Sequence, residues 1–279
     1  MHLFLAIIGT YFFSAVFQQN IYYVEKTISL PASASSFSIN DLQQFYIVNS
    51  EDNEVIKLNS EGKILKTIGG YGWTDGLFDD AKAVCATQLE VFVADYGNHR
   101  IQKFDKDLNF IGQFSISGRD LTSFKLEYPI SIDLSTTGDL YILDSKNKRV
   151  IKLNGFSKVE RIFGGFESGD IFLNKPIKIR VDVNQQVYVL DESKIKIFDQ
   201  FGNPIREIQL GKIRIIDFGF QNEIIFLVSQ EKLFQLTTDG IQQILMTEKF
   251  ESPIKEMKIK SDSIYLLLGD EIKVLRRGK

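Results

Sequence analysis

The sequence predicts an all-β chain folded as a six-bladed β-propeller with four-stranded antiparallel blades. Three observations carry this. Five-residue apolar runs recur with a spacing of about forty to fifty residues, further strand patterns follow each run, and a spare strand pattern at the start answers a strand missing at the end. Composition agrees: 10 Tyr and 23 Phe against 5 Pro favour strands.

The central runs are FYIVN ending at Asn49, VFVAD at Asp95, LYILD at Asp144 and VYVLD at Asp191, followed by the weaker IFLVS at Ser229 and IYLLL at Leu268. After each comes a second strand pattern, such as RIQKFD from Arg100 or RVIKLN from Arg149. A turn such as Glu61-Gly62 or Gly202-Asn203 then leads to a third, and an apolar run precedes each anchor, for example Ile130 to Leu134. Four strands make a blade, and blades stacked radially bury the faces that one blade leaves open. The chain stops after the third strand of the sixth repeat, while Ile21 to Leu30, IYYVEKTISL, is left over before the first inner strand. This N-terminal strand is therefore expected to close the last blade, so that residues 21–279 form one propeller.

Residues 1–20 are read separately. Leu3 to Phe17 is apolar and uncharged, and no Asp, Glu, Lys or Arg precedes Glu25. That run is shorter than a bilayer span, and Ser14 and Ala15 offer a cleavage point, so a signal peptide is expected, with an uncleaved hydrophobic anchor as the alternative. The expected location is extracytoplasmic (periplasmic, cell-surface or secreted), with no stable membrane span once the segment is removed.

The stretch Val91 to Phe104, VFVADYGNHRIQKF, resembles the signature of the NHL repeat, with Asn98 and His99 in place. LYILDSKNKRVIKL from Leu140 matches it with Lys148 for His, and Gly164-Gly165, Gly169, Phe172 and Pro176 resemble the family's Gly-Phe-Pro lead-in. The resemblance is best over about 36–198 and fades in the last two blades. It implies a six-bladed propeller of the NHL and TolB-like kind. The repeated Asp95, Asn98, Arg100, Asp144, Asn147 and Arg149 surround the turn between two strands, where carboxylates accept backbone N–H groups and Arg pairs with a carboxylate, so they are read as structural.

No catalytic residue is predicted. His99 is the one histidine after residue 20, so no multi-histidine zinc site can form in one chain, and His99 itself is read as a turn residue. Cys85, the single cysteine, excludes an intramolecular disulfide and is expected to be buried and inert. The Gly-rich segments from Gly69 and Gly164 lack a following Gly-Lys-Ser and are read as loops between blades. Lys146, Lys148, Arg149, Lys152, Lys158 and Arg161 form a basic sector expected on solvated strand edges. A net charge of -3 gives no general attraction to phosphate, so nucleic acid is not an expected partner, although some NHL relatives bind RNA.

Strand alternation puts the blade-to-blade connections and the second-to-third-strand turns on one face. Its long loops carry Tyr71, Trp73, Asp75, Arg119, Tyr128, Phe166 and Glu167, types that anchor binding when exposed on a rigid scaffold. Trp73 leads, against the alternative of a plug packed on its own blade. The expected function is a non-enzymatic binding or scaffolding propeller for a protein or glycan partner, without a cofactor. The alternative is a Ca-dependent hydrolase or lactonase with Asp133, Asp182 and Asp217 converging on the central channel, set against their reading as turn residues.

Overall fold

A computed structural model describes residues 21–116, 125–156, 158–166, 171–221 and 223–278; the segment 1–20 lies outside the described residues. Six sheets form six blades, and no helix occurs among the described residues. The inner strands are Ser36–Ile39, Ala81–Ala86, Pro129–Leu134, Pro176–Val181, Asp217–Gln221 and Glu256–Lys260, for blades one to six. In blades one to five the next strands pair antiparallel in chain order from inside to outside, and in blade six the first three do.

Burial follows that order. The central strands Phe45–Asn49, Leu140–Asp144 and Val187–Asp191 are buried at every position, while outer strands such as Ile64–Gly69 are largely exposed. A central strand is covered on both faces by neighbouring blades, which is why its sequence is a continuous apolar run. The core is accordingly six seams. One cluster joins blades two and three through Phe92, Ile101, Ile132 and Ile142, and another joins six to one through Leu267, Ile272, Phe37 and Ile47. Each fully buried side chain of this size contributes roughly 1.5–3 kcal/mol before entropy is counted.

The ring closes as the strand count requires. Ile21–Ser29 pairs antiparallel with Glu271–Arg277, from Tyr22 opposite Arg277 to Ser29 opposite Glu271, and becomes the fourth strand of blade six. The short strand Leu245–Met246 adds in parallel outside it, a fifth strand that the sequence reading did not anticipate. In the lead-in to blade four Leu173 is the buried plug, three residues before Pro176, matching Phe78 before Ala81 and Leu126 before Pro129.

The alternation of strands gives the disc two faces. One carries the long connections between blades and the second-to-third-strand turns; the other carries only short turns.

Candidate functional site

The repeated turn residues build a latch. Asp95, fully buried at the end of a central strand, accepts hydrogen bonds from Asn98 Nδ2 (3.1 and 3.0 Å), Arg100 Nε (2.7 Å), Gln102 Nε2 (3.1 Å) and the Asp79 N–H (2.9 Å). Arg100 then donates to the carbonyls of Trp73, Thr74 and Leu77, so one buried ion pair fixes the backbone of the loop leading into blade two. Blade three repeats this with Asn147 and Arg149 on Asp144, and Arg149 and Asn147 on the Lys125 carbonyl. In blade four Asp191 accepts the N–H groups of Asn174 and Lys175, and Lys196 takes the place of Arg. His99 and Lys148 sit at the left-handed position of their turns (φ 55° and 50°), as Asn53 does in blade one (φ 57°). His is among the types that tolerate this conformation, and the Nδ1 of His99 also accepts the Tyr128 N–H at 3.1 Å.

On this face Trp73 is 74% exposed, Tyr71 69% and Phe166 86%, and Asp75 is exposed beside them. Trp73 is thus no plug on its own blade; its carbonyl is held and its ring is free. Gly69 begins the same loop at φ 125°, where a Cβ would fall 2.3 Å from the Asn53 carbonyl oxygen. Tyr128 is half-buried, edge-on to His99 (centroids 4.3 Å) and near Tyr96 (4.9 Å), with the Lys146 ammonium over its ring. Phe166 contacts Phe172, on a seam two removed from the Trp73 loop. Arg119 and Glu167 lie outside the described residues.

The three carboxylates of the alternative metal reading are not brought together. Asp182 caps its own turn by accepting the N–H groups of Asn184 and Gln186 and the Tyr188 hydroxyl. Asp217 pairs with Arg180 (2.9 and 2.7 Å) and accepts the Met257 N–H, whereas Asp133 accepts the Val181 N–H. No group of three or more metal-ligating side chains occurs among the described residues. In the basic sector, Lys152 contacts Asp139 and Glu160, Lys146 contacts Glu127, and Arg149 is in its latch; Lys158 is exposed. Burial, then the neighbouring Asp133, pushes the Cys85 thiol up to about 12, which suits an inert side chain.

Sequence reasoning named Asp133 and Asp217 at the channel but missed the tiers to which they belong. Six residues stand opposite the fourth position of the central strands: Ser36, Ala83, Ser131, Lys178, Asp217 and Glu256. Six more stand opposite the second position: Ser38, Cys85, Asp133, Arg180, Gly219 and Lys258. Through these two tiers inner strands are tied to their neighbours. Ala86 N–H donates to Ser38 Oγ, Ile179 to Ser131 Oγ, Val181 to Asp133, Met257 to Asp217, and Phe37 to Glu256. An inner strand has a free edge, and these side chains satisfy it. Blades four to six supply all the tiers' charged side chains except Asp133 of blade three. Lys178 lies 2.9 Å and Arg180 3.5 Å from Glu256, with Lys258 at 3.5 Å. Burial works to raise the Glu256 carboxyl, and Lys178, Lys258 and Arg180 outweigh it and hold it well below its usual range. Asp133 goes the other way, raised chiefly by burial. Aligning the inner strands by the repeat would have placed each tier in one column.

Comparisons with known proteins agree with this geometry. The NHL repeat family profile matches residues 78–104, which include the blade-two latch. Protein brain tumor of Drosophila melanogaster is 29% identical over 149 residues, covering 52% of this chain and 14% of that protein's length. Among solved structures, selenomethionine-substituted virginiamycin B lyase from Staphylococcus aureus superposes with a TM-score of 0.65 at 14% identity, covering 90% of this chain and 98% of that one. A streptogramin B lyase structure gives 0.65 at 13% identity, over 93% and 98% of the two chains. At such identity these two likenesses establish the fold alone.

Proposed function

We propose, from the premise that this chain is an NHL-type six-bladed β-propeller, that it is a non-enzymatic binding module which takes a protein or glycan partner on its long-loop face. One observation carries the reading: the exposed ring of Trp73 stands on a loop whose own carbonyls are held by the buried Arg100. A side chain presented on an already ordered backbone binds without the entropy cost of ordering a loop, and tryptophan is enriched among residues that dominate binding energy. Tyr71 extends the same surface. The relative in Drosophila and the lyases supply no partner for this chain. Export of the protein, read from residues 1–20, belongs to the same proposal and places the partner outside the cytoplasm.

The test is selection of ligands from a glycan array and a displayed random-peptide library with the purified protein, repeated with Trp73→Ala and with Leu89→Ser on the opposite face. The expected result is that Trp73→Ala loses at least about 2 kcal/mol, roughly thirtyfold in Kd, while Leu89→Ser binds as before. Selected ligands that bind Trp73→Ala unchanged would overturn the reading. So would an absence of ligands together with calcium-dependent turnover of lactones or esters.

A further inference from the structure

The channel tiers are unequal in what they can accept. In the second tier, Ser38 takes the Ala86 N–H, Cys85 the Leu134 N–H and Asp133 the Val181 N–H, so three successive seams are closed by a side-chain acceptor. The next residue in the tier is Arg180, which has donors only, and the one after it is Gly219, which has no side chain. The N–H groups in the corresponding places are those of Phe220 in blade five and Ile259 in blade six, and, after Lys258, which also has donors only, that of Ile39 in blade one. None of the three can receive a side-chain acceptor from the tier residue of the preceding blade.

A cavity lies at this place. It has a volume of about 600 Å3, opens on the short-turn face, and is lined by Arg180, Gly219, Phe220, Ile259, Lys258 and Asp133 among others. The inner strands of blades four and five, like those of blades six and one, lie less closely together than the other neighbouring inner pairs. The cavity's polar groups are not equally occupied. Arg180 is committed to Asp217 at 2.9 and 2.7 Å. Lys258 has only a 3.5 Å approach to Glu256, a carboxylate already held by Lys178 at 2.9 Å. Asp182 is consumed by its turn and by Tyr188. Asp133 accepts the Val181 and Leu134 N–H groups, meets the Cys85 thiol at 4.0 Å, and lies within the field of Arg180 and Lys258. Arg206 and Glu223 add one charge of each sign at the rim. Apolar surface comes from Phe220, whose ring packs on Tyr188 with centroids 4.6 Å apart, and from Val181, Ile225 and Met257.

We propose that this cavity binds a small organic monocarboxylate carrying an aromatic or aliphatic group. The carboxylate would take the place of the missing acceptors, receiving the Phe220 and Ile259 N–H groups and pairing with Lys258, and its apolar body would lie on Phe220 and Ile225. Asp133 sets the size of the anion: it faces the same space and disfavours di- and tricarboxylates. The site is on the opposite face from Trp73 and stands or falls independently of the binding function proposed for the loops.

The experiment uses 3-phenylpropanoate, with the neutral 3-phenylpropan-1-ol as control, titrated into the 15N-labelled protein and followed by amide shifts and calorimetry. The expected outcome is saturable one-to-one binding of the acid at least about tenfold tighter than the alcohol, with the largest amide shifts at Phe220 and Ile259. Lys258→Met should remove the acid's advantage and Lys258→Arg should keep it. Equal affinity for acid and alcohol would overturn the proposal, as would no binding of the acid or a bound acid that leaves the two amides unshifted. These readings are made on the unaltered protein, so they hold whether or not the Lys258 variants fold.

Discussion

Blades two to four and blades five and six solve the same problem by different chemistry. In the first group a buried carboxylate at the end of the central strand, Asp95, Asp144 or Asp191, collects backbone N–H groups from the loop that enters its own blade and side-chain donors from the turn or strand that follows it. In blade five that position is Ser229, which serves only its own turn through the N–H groups of Glu231 and Lys232, and in blade six it is the buried Leu268. There the entering segments have apolar plugs, Ile215 and Ile254, but no carboxylate latch, whereas blades two to four add the latch to the plugs Phe78, Leu126 and Leu173. The latch holds the backbone of a loop whose tip is exposed. The Trp73 loop therefore belongs to the latched blades, and the closing strand belongs to the others.

The difference is broken most completely at the clasp. Removing Ile21–Ser29 strips the fourth strand from blade six, uncovers Ile272 and Val274, and removes the buried Tyr22 and Ile28 from their seams. The expected outcome is loss of cooperative unfolding by circular dichroism and calorimetry, since the ring then has an open edge. A nine-residue deletion that melts as the intact chain does would show that closure rests on the plugs.

The next effect in size is loss of one latch. Asp95→Ala leaves Arg100 buried without its carboxylate and orphans the Asp79 N–H, and breaking a buried pair in this way costs about 3–5 kcal/mol. At this chain length that is a fall in Tm on the order of 10 °C. Ser229→Ala, at the matching place in blade five, should move Tm by less than about 2 °C, because its hydroxyl is exposed and its bonds are local. Equal shifts for the two substitutions, measured by thermal melting at one pH, would remove the distinction between latched and unlatched blades.

Much of this was legible in the sequence because it is local or periodic. The central runs announce themselves by burial on both faces, the latch residues by their fixed spacing from Asp95 and Asp144, and the closing strand by a count of strands. The tiers of the channel were not. Ser38 to Ala86, Ser131 to Ile179 and Asp133 to Val181 are each separated by 48 residues, and they meet only because adjacent blades stack in a particular register. Asp133, Asp182 and Asp217 looked equivalent as acids near the ends of inner strands, yet Asp182 lies in a turn, while Asp133 and Asp217 sit in different tiers at different depths. The direction of a side chain along the axis is set by pairing, and pairing is what a single run of residues does not display.

The smallest effect separates the two channel carboxylates and extends the comparison into the core. Glu256 ties blade six to blade one by accepting the Phe37 N–H at 2.8 Å, and its folded pKa lies below its ordinary 4.5. A lowered pKa means that its contribution is fully present above pH 4.5 and is lost as pH falls below that value toward the folded one. Asp133 has a folded pKa above its ordinary 3.8, so its ionised form opposes folding once pH exceeds 3.8, and protonation relieves that cost. Glu256→Gln should therefore lower stability at pH 7 by about 1.5–3 kcal/mol and flatten the decline below pH 4.5. Asp133→Asn should cost less at pH 7 than Glu256→Gln and make the acid limb steeper. Urea unfolding at intervals from pH 3 to pH 7 reads both slopes, and two variants with parallel profiles would mean that the cations of blades four to six do not discriminate between the carboxylates they surround.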